Sequence, residues 1–155
     1  FYKKYFDNEL CDLGQINKGT THDQWYKKKV SLDYHLRHKF ILCIEGNDVA
    51  SNLKWVMSSS SVAVMPKPKF ESWFMEAILV PDYHYIHIKD DYSDLEKKLK
   101  FYIKNPEKLK QISINANNYV NQFRDSSDEK IISLLVMEKF FAFTNQKKSL
   151  INFIS

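Results

Sequence analysis

Short continuous apolar runs alternate along this chain with longer stretches in which apolar residues recur every three or four positions. Residues 40–44, FILCI, are uninterrupted and stop at Glu45-Gly46. Such a run predicts a strand buried on both faces, as in a parallel sheet, rather than an alternating surface strand. Residues 62–65, closed by PKPK, predict a second strand, and residues 85–88, after VPDYH, a third. Between the first two, Val49, Leu53 and Val56-Met57 recur near helical spacing. Residues 48–58 are therefore predicted to be helical, with Asn47 or Asp48 as N-cap. Phe70, Trp73, Phe74 and Ala77 predict another helix over residues 70–79, stopping before Pro81.

The remaining punctuation is equally local. Residues 11–24 hold two glycines and many turn formers and read as loop, and residues 30–38 as a short helix capped by Ser31. Ser93 with Glu96 three residues on is a capping-box pattern, followed by an apolar face through Leu95, Leu99 and Tyr102-Ile103. Asn105-Pro106 ends that helix and opens the next, with Leu109, Ile112, Ala116, Tyr119 and Phe123 inward. RDSSDE is a break, and residues 131–143 predict a last, strongly apolar helix in need of a partner surface. Strands alternating with helices predict an α/β fold, a Rossmann-like parallel sheet flanked by helices. One domain is expected over residues 1–155: a loop-rich lead-in over 1–30, an α/β core over 31–125 and a C-terminal helical segment over 126–155.

Composition narrows the function classes. With 155 residues, 44% hydrophobic and 15% aromatic, the chain is globular rather than disordered. A net charge of +4 is too mild for a nucleic-acid binder and fits a weak attraction to anionic surfaces or phosphates. Cys11 and Cys43 have no CxxC spacing; Cys43 lies in an apolar run and reads as a buried, inert thiol. No disulfide framework is indicated, which favours a reducing compartment. No signal peptide or transmembrane helix is visible, since no apolar run approaches about 18 residues. The first residue is Phe rather than Met, which reads as a fragment of something longer.

The candidate chemistry sits at the first strand end. Ligands of open α/β sheets bind beyond the carboxyl ends of the strands, where helix N-termini also point. A helix starting at Asp48 would leave its first N–H groups free for a phosphate without any glycine-rich loop. Gly46 would give the sharp turn, Ser51 a hydroxyl and Lys54 a full charge. Asp48 argues the other way, because its own carboxylate can fill the anion position as a cap. Only three glycines occur, so neither a P-loop nor a GxGxxG loop is present. The serines 58–61 read as a helix end and loop, or as hydroxyls near a sugar. Glu71 reads as a ribose ligand or as a solvated first-turn charge, and Trp73 as core or as a ring that stacks on a ligand. His84 and His87 would lie on opposite faces of a strand and make no metal pair. No hydrolase triad, activated cysteine or zinc pattern is visible.

Several segments in order carry a family resemblance: KFILCIEGNDVASNLKWVMSSSSVAVMPKP, then ESWFMEAILVPDYHYIHIKDDYSDLEKKLKFYIKNPE. The chain resembles the C-terminal half of the lipopolysaccharide-core glycosyltransferases of glycosyltransferase family 90. That family is shared with eukaryotic protein O-glucosyltransferases and fungal capsule-associated xylosyltransferases. The wording EGNDVASNLKW is similar to that of the bacterial members. The resemblance implies a GT-B enzyme that takes a nucleotide-diphosphate sugar, UDP-linked, with this half holding the donor. It implies a diphosphate against the backbone of Val49, Ala50, Ser51, Asn52 and Leu53, neutralised by Lys54, where relatives often carry Arg. With the turn residues Gly46, Asn47 and Asp48, and Glu71 toward the ribose, these form the candidate donor site. No metal and no cofactor beyond the donor is implied. The catalytic base implied is an Asp of the N-terminal half, and no residue here matches it. The implied acceptor is a lipid-linked glycan of the lipopolysaccharide core. The implied setting is the cytoplasmic face of the inner membrane, with a peripheral contact to anionic lipid. From another class, a non-catalytic α/β module binding a protein through the apolar C-terminal helix also fits the pattern. A receiver-like domain does not, because the strand end offers Glu45-Gly46 in place of a phosphoacceptor Asp.

Overall fold

The computed structural model describes residues 1–19 and 22–145. Residues 146–155, the end of the predicted C-terminal segment, lie outside the described residues. The helices are α1 (Tyr2–Tyr5), α2 (Leu32–His35), α3 (Leu53–Met57), α4 (Leu95–Lys104), α5 (Pro106–Asn121) and α6 (Ser126–Phe143). The strands are β1 (Phe40–Leu42), β2 (Val62–Met65) and β3 (Ile86–His87). They form one parallel sheet in the order β1-β2-β3, with Phe40 opposite Val62 and Val64 opposite Ile86. The fold is α/β, a Rossmann-like half-domain with a parallel sheet flanked by helices.

The register explains the two layers. Residues alternate across a strand, so Phe40, Leu42, Val62, Val64 and Ile86 share one face. That face packs on Tyr5, Leu95, Leu99, Tyr102 and Ile112 from α1, α4 and α5. The opposite face, with Ile41, Ala63 and Met65, is covered by α3, which packs against β2. All four residues of β2 are buried, as the uninterrupted run predicted for a central parallel strand. Ser31 caps α2 by accepting from the Tyr34 backbone N–H at 3.2 Å, and Pro106 opens α5, both as predicted.

Three predicted elements are corrected. The helix expected over 48–58 begins only at Leu53. Asp48 Oδ1 accepts from its neighbour Val49 N at 2.7 Å, and Gly46 N donates to Asp48 O at 3.2 Å. These turn bonds compete with a helical path. Neither Asn47 nor Asp48 caps the helix; Asn52 stands at the cap and donates its amide to Leu42 O instead, at 2.8 Å. The helix expected over 70–79 is reduced to a 3₁₀ turn, Glu76–Ile78. Met75 has φ 53, in the left-handed region, which breaks the helical path. The capping box is not formed: Ser93 N donates to Asp91 at 2.9 Å, and Glu96 pairs with Lys100 at 2.9 Å. Asp94 takes the cap position, with its carboxylate turned to Lys89 N.

The chain divides into two compact units, Phe1–Tyr119 and Val120–Ser155. In the second, α6 starts five residues before the predicted boundary, capped by Asp125, which accepts from Ser127 N and Asp128 N. Ile131, Leu135, Val136 and Phe140 on it are exposed. Among the described residues no helix is long and apolar enough to cross a membrane.

One buried group is left unsatisfied in the first unit. Tyr85 is fully buried, and its hydroxyl has no hydrogen-bond partner among the described residues. Burial, with the Asp82 carboxylate nearby, pushes its pKa up to about 12. A buried polar group without a partner costs about 1–3 kcal/mol. Tyr85→Phe is therefore expected to keep or raise stability, by up to about 1 kcal/mol once lost packing is offset. Urea unfolding checks this, and a loss above about 1 kcal/mol would show that the hydroxyl is satisfied.

Candidate functional site

The carboxyl ends of all three strands open onto one cleft of about 160 Å³. Its first wall is Cys43 to Gly46 after β1, with Ala50 and Leu53 from the turn into α3. Its second wall is residues 66–70 after β2, and Asp90 and Tyr92 follow β3. The segment 66–70 is tied across the opening on both sides. Glu45 accepts from Lys69 N at 3.0 Å and Phe70 N at 3.1 Å, while Lys69 Nζ meets Asp90 at 2.9 Å. Two prolines, Pro66 and Pro68, stiffen the strap. Cys43 is buried beside the cleft, and burial alone pushes its thiol well above the usual range, so it is an inert wall, as predicted.

A buried ion pair stands beside the cleft. Glu76, which also lines it, is 1% exposed. Its carboxylate accepts from Lys54 Nζ at 3.0 Å, Ser72 N at 2.7 Å and Ser72 Oγ at 2.8 Å. The Lys54 ammonium also lies 5.5 Å from the centre of the Trp73 ring and 5.3 Å from that of Phe74. Burial alone would push the Glu76 carboxyl up. The Ser72 N–H, the Lys54 ammonium and the Ser72 hydroxyl outweigh it and hold the pKa below the ordinary 4.5. The folded value is thus depressed. The resulting stabilisation is present above the unfolded pKa and is lost as pH falls through the folded one. Urea unfolding from about pH 6 down to about pH 3 is expected to show a steeper acid loss for the wild type than for Glu76→Gln. Parallel acid limbs would contradict this.

Of the candidate donor residues, Gly46, Ala50 and Leu53 line the cleft. A side chain added at Gly46 would meet nothing within 4 Å, so the approach to the backbone there is open. Asn47, Asp48 and Ser51 are exposed on the same turn, and Val49 is half-buried. Asn52 turns to the β1 edge through its bond to Leu42 O. Lys54 is not itself among the residues lining the cleft but is bonded to Glu76, which is, and its side chain is 24% exposed; Glu71 is exposed outside the lining. The anion site expected at a helix N-terminus at Asp48 is not built that way, because α3 starts later. Sequence reading placed Glu45 only as the end of the first strand and gave neither it nor Glu76 a role in the site. Glu45 ends the apolar run, which signals its place; Glu76 carries no local signal, because its role depends on a contact 22 residues away.

The serine run resolves as a helix end. Ser58 Oγ donates to Lys54 O and Ser59 Oγ to Val56 O, both at 2.7 Å, and Ser61 Oγ donates to His38 O at 2.7 Å. His84 accepts from Val80 N through Nδ1 at 2.9 Å. A larger groove of about 670 Å³ runs beside β1, floored by core residues such as Val64, Leu95 and Leu99. It runs along β1 from Phe40 to Leu42, and its walls also carry Asp12, Lys27, Tyr34, His35 and His38. The smaller cleft is the one to which the segments after all three strands contribute, the place where α/β sheets bind ligands.

A parallel sheet flanked by helices, with a cleft at its strand ends, defines a Rossmann-like half-domain. Within that class the chain belongs to glycosyl transferase family 90, whose sequence model matches residues 4–132. The O-glucosyltransferase LpsA of Dichelobacter nodosus is 37% identical over 142 residues, covering 92% of this chain and 45% of that protein. The uncharacterized protein 179R of Invertebrate iridescent virus 6 is 30% identical over 119 residues, covering 71% of this chain and 10% of that protein. The chain thus spans less than half the length of the curated relatives it matches.

Proposed function

We propose that this chain is the donor-binding half of a GT-B sugar transferase and that its strand-end cleft takes the diphosphate part of a UDP-hexose. The observation that carries the reading is the cleft itself. It lies beyond the carboxyl ends of three parallel strands, walled by the turn 46–53 that the family resemblance marks for the donor. Its volume of about 160 Å³ is below the 300–1,000 Å³ of a whole-ligand pocket, and fits part of a nucleotide sugar rather than all of it. The acceptor side and the catalytic base then belong to the rest of the enzyme.

The name of the Dichelobacter relative, an O-glucosyltransferase, supports a glucosyl donor and a hydroxyl acceptor. Its LpsA designation fits a glycan of lipopolysaccharide as the acceptor. Lys54 supplies the counter-charge with the donors that Glu76 leaves free, since an ammonium carries three. Thermal unfolding with and without UDP tests the reading. A UDP-dependent rise in Tm that UMP reproduces only weakly supports it, and no shift at millimolar UDP counts against it.

A further inference from the structure

We infer that Glu76 is a positioning residue: with Ser72 it fixes the Lys54 ammonium in the orientation that receives the donor diphosphate. The inference rests on the donor-site reading above. Lysine is a flexible stem ending in a point charge, and by itself it holds no one geometry. Here its end is fixed by a carboxylate that is itself immobile. Glu76 is 1% exposed and takes three donors, two of them from Ser72. Lys54 is anchored at 3.0 Å with its side chain 24% exposed, so part of it faces solvent. One of its three N–H donors is committed to Glu76, and the others remain for an anion. Protein kinases divide the work in the same way: a glutamate pairs with the lysine that holds the nucleotide phosphates, and the pair must be in place for activity.

An opposite role is also physically coherent, because a carboxylate lining the cleft repels a diphosphate. The Glu76 charge is compensated by Lys54 and by the Ser72 donors, whereas removing it frees a four-carbon stem to move. The two roles predict opposite changes in UDP affinity for Glu76→Gln, and positioning is the one inferred.

Calorimetric titration with UDP and, separately, with uridine tests this on the intact chain. The wild type is expected to bind UDP and to bind uridine more weakly. Glu76→Gln, which keeps size and one acceptor oxygen but removes the charge and turns the other acceptor into a donor, is expected to weaken UDP by about 10-fold and uridine by less than about 2-fold. Ser72→Ala, a milder change, is expected to weaken UDP by about 3-fold with uridine unchanged. A merely structural role would lower both ligands alike. Glu76→Gln binding UDP as tightly as the wild type, or more tightly, while Lys54→Ala is weakened, overturns the positioning role and leaves the donor site standing. A parallel loss of both ligands in both variants overturns it too. No UDP binding by the wild type overturns the donor reading and the inference with it.

Discussion

Phe74→Ala is expected to cost about 3–5 kcal/mol of unfolding free energy, the range for removing a buried aromatic side chain. Phe74 is 1% exposed. Its ring meets Tyr119 edge-on at 5.3 Å between centroids, and its carbonyl accepts from the Tyr119 hydroxyl at 2.6 Å. These contacts hold a segment that has no regular helix or strand of its own from Phe70 to Met75. Ser72 and Glu76 sit on either side of Phe74, so the cavity left by alanine would also loosen the Glu76 carboxylate. Urea unfolding followed by circular dichroism measures the loss. A change below about 1 kcal/mol would mean that this segment does not depend on its one buried ring.

Lys54→Ala is expected to act on binding and on stability together. It removes the only cation bonded to Glu76 among the described residues, leaving a buried carboxylate with the Ser72 donors alone. Breaking one side of a fully buried pair costs about 3–5 kcal/mol. Lys54 is a quarter exposed, so water reaches the pair and the loss here is expected at about 2 kcal/mol. Adding Glu76→Gln to Lys54→Ala is expected to restore about half of it, because the stranded charge is then gone. Binding offers no such recovery: both variants lack the counter-charge, and both are expected to lose UDP.

The layers of this fold were legible in the sequence because they rest on local pattern. FILCI and VAVM read as strands because parallel strands are apolar on both faces, and α5 read from apolar spacing and the Pro106 boundary. α6 read from its apolar content over 131–143, while its first turn from Ser126 was taken as a break because it is polar. The site was legible only in part. Glu45-Gly46 marks a strand end, and the ordered motifs around it carried the family. The misread segment, 70–79, shows why the rest was hidden. Its apolar residues are spaced as on a helix, yet Trp73 is 62% exposed while Glu76 is buried. A pattern that counts Trp as inward and Glu as outward inverts both, because the carboxylate is buried by a lysine far away in sequence and the indole is not needed in the core. Asp48 misled for a similar reason: it is a good cap residue that spends its oxygen on Val49 N.

Calorimetric titration of the chain with UDP, wild type against Lys54→Ala, tests the donor site most directly. Saturable heat is expected for the wild type, with an affinity weakened by at least about 10-fold in Lys54→Ala, a difference of about 1.4 kcal/mol or more. No heat from the wild type, or equal affinity in the two proteins, would contradict it.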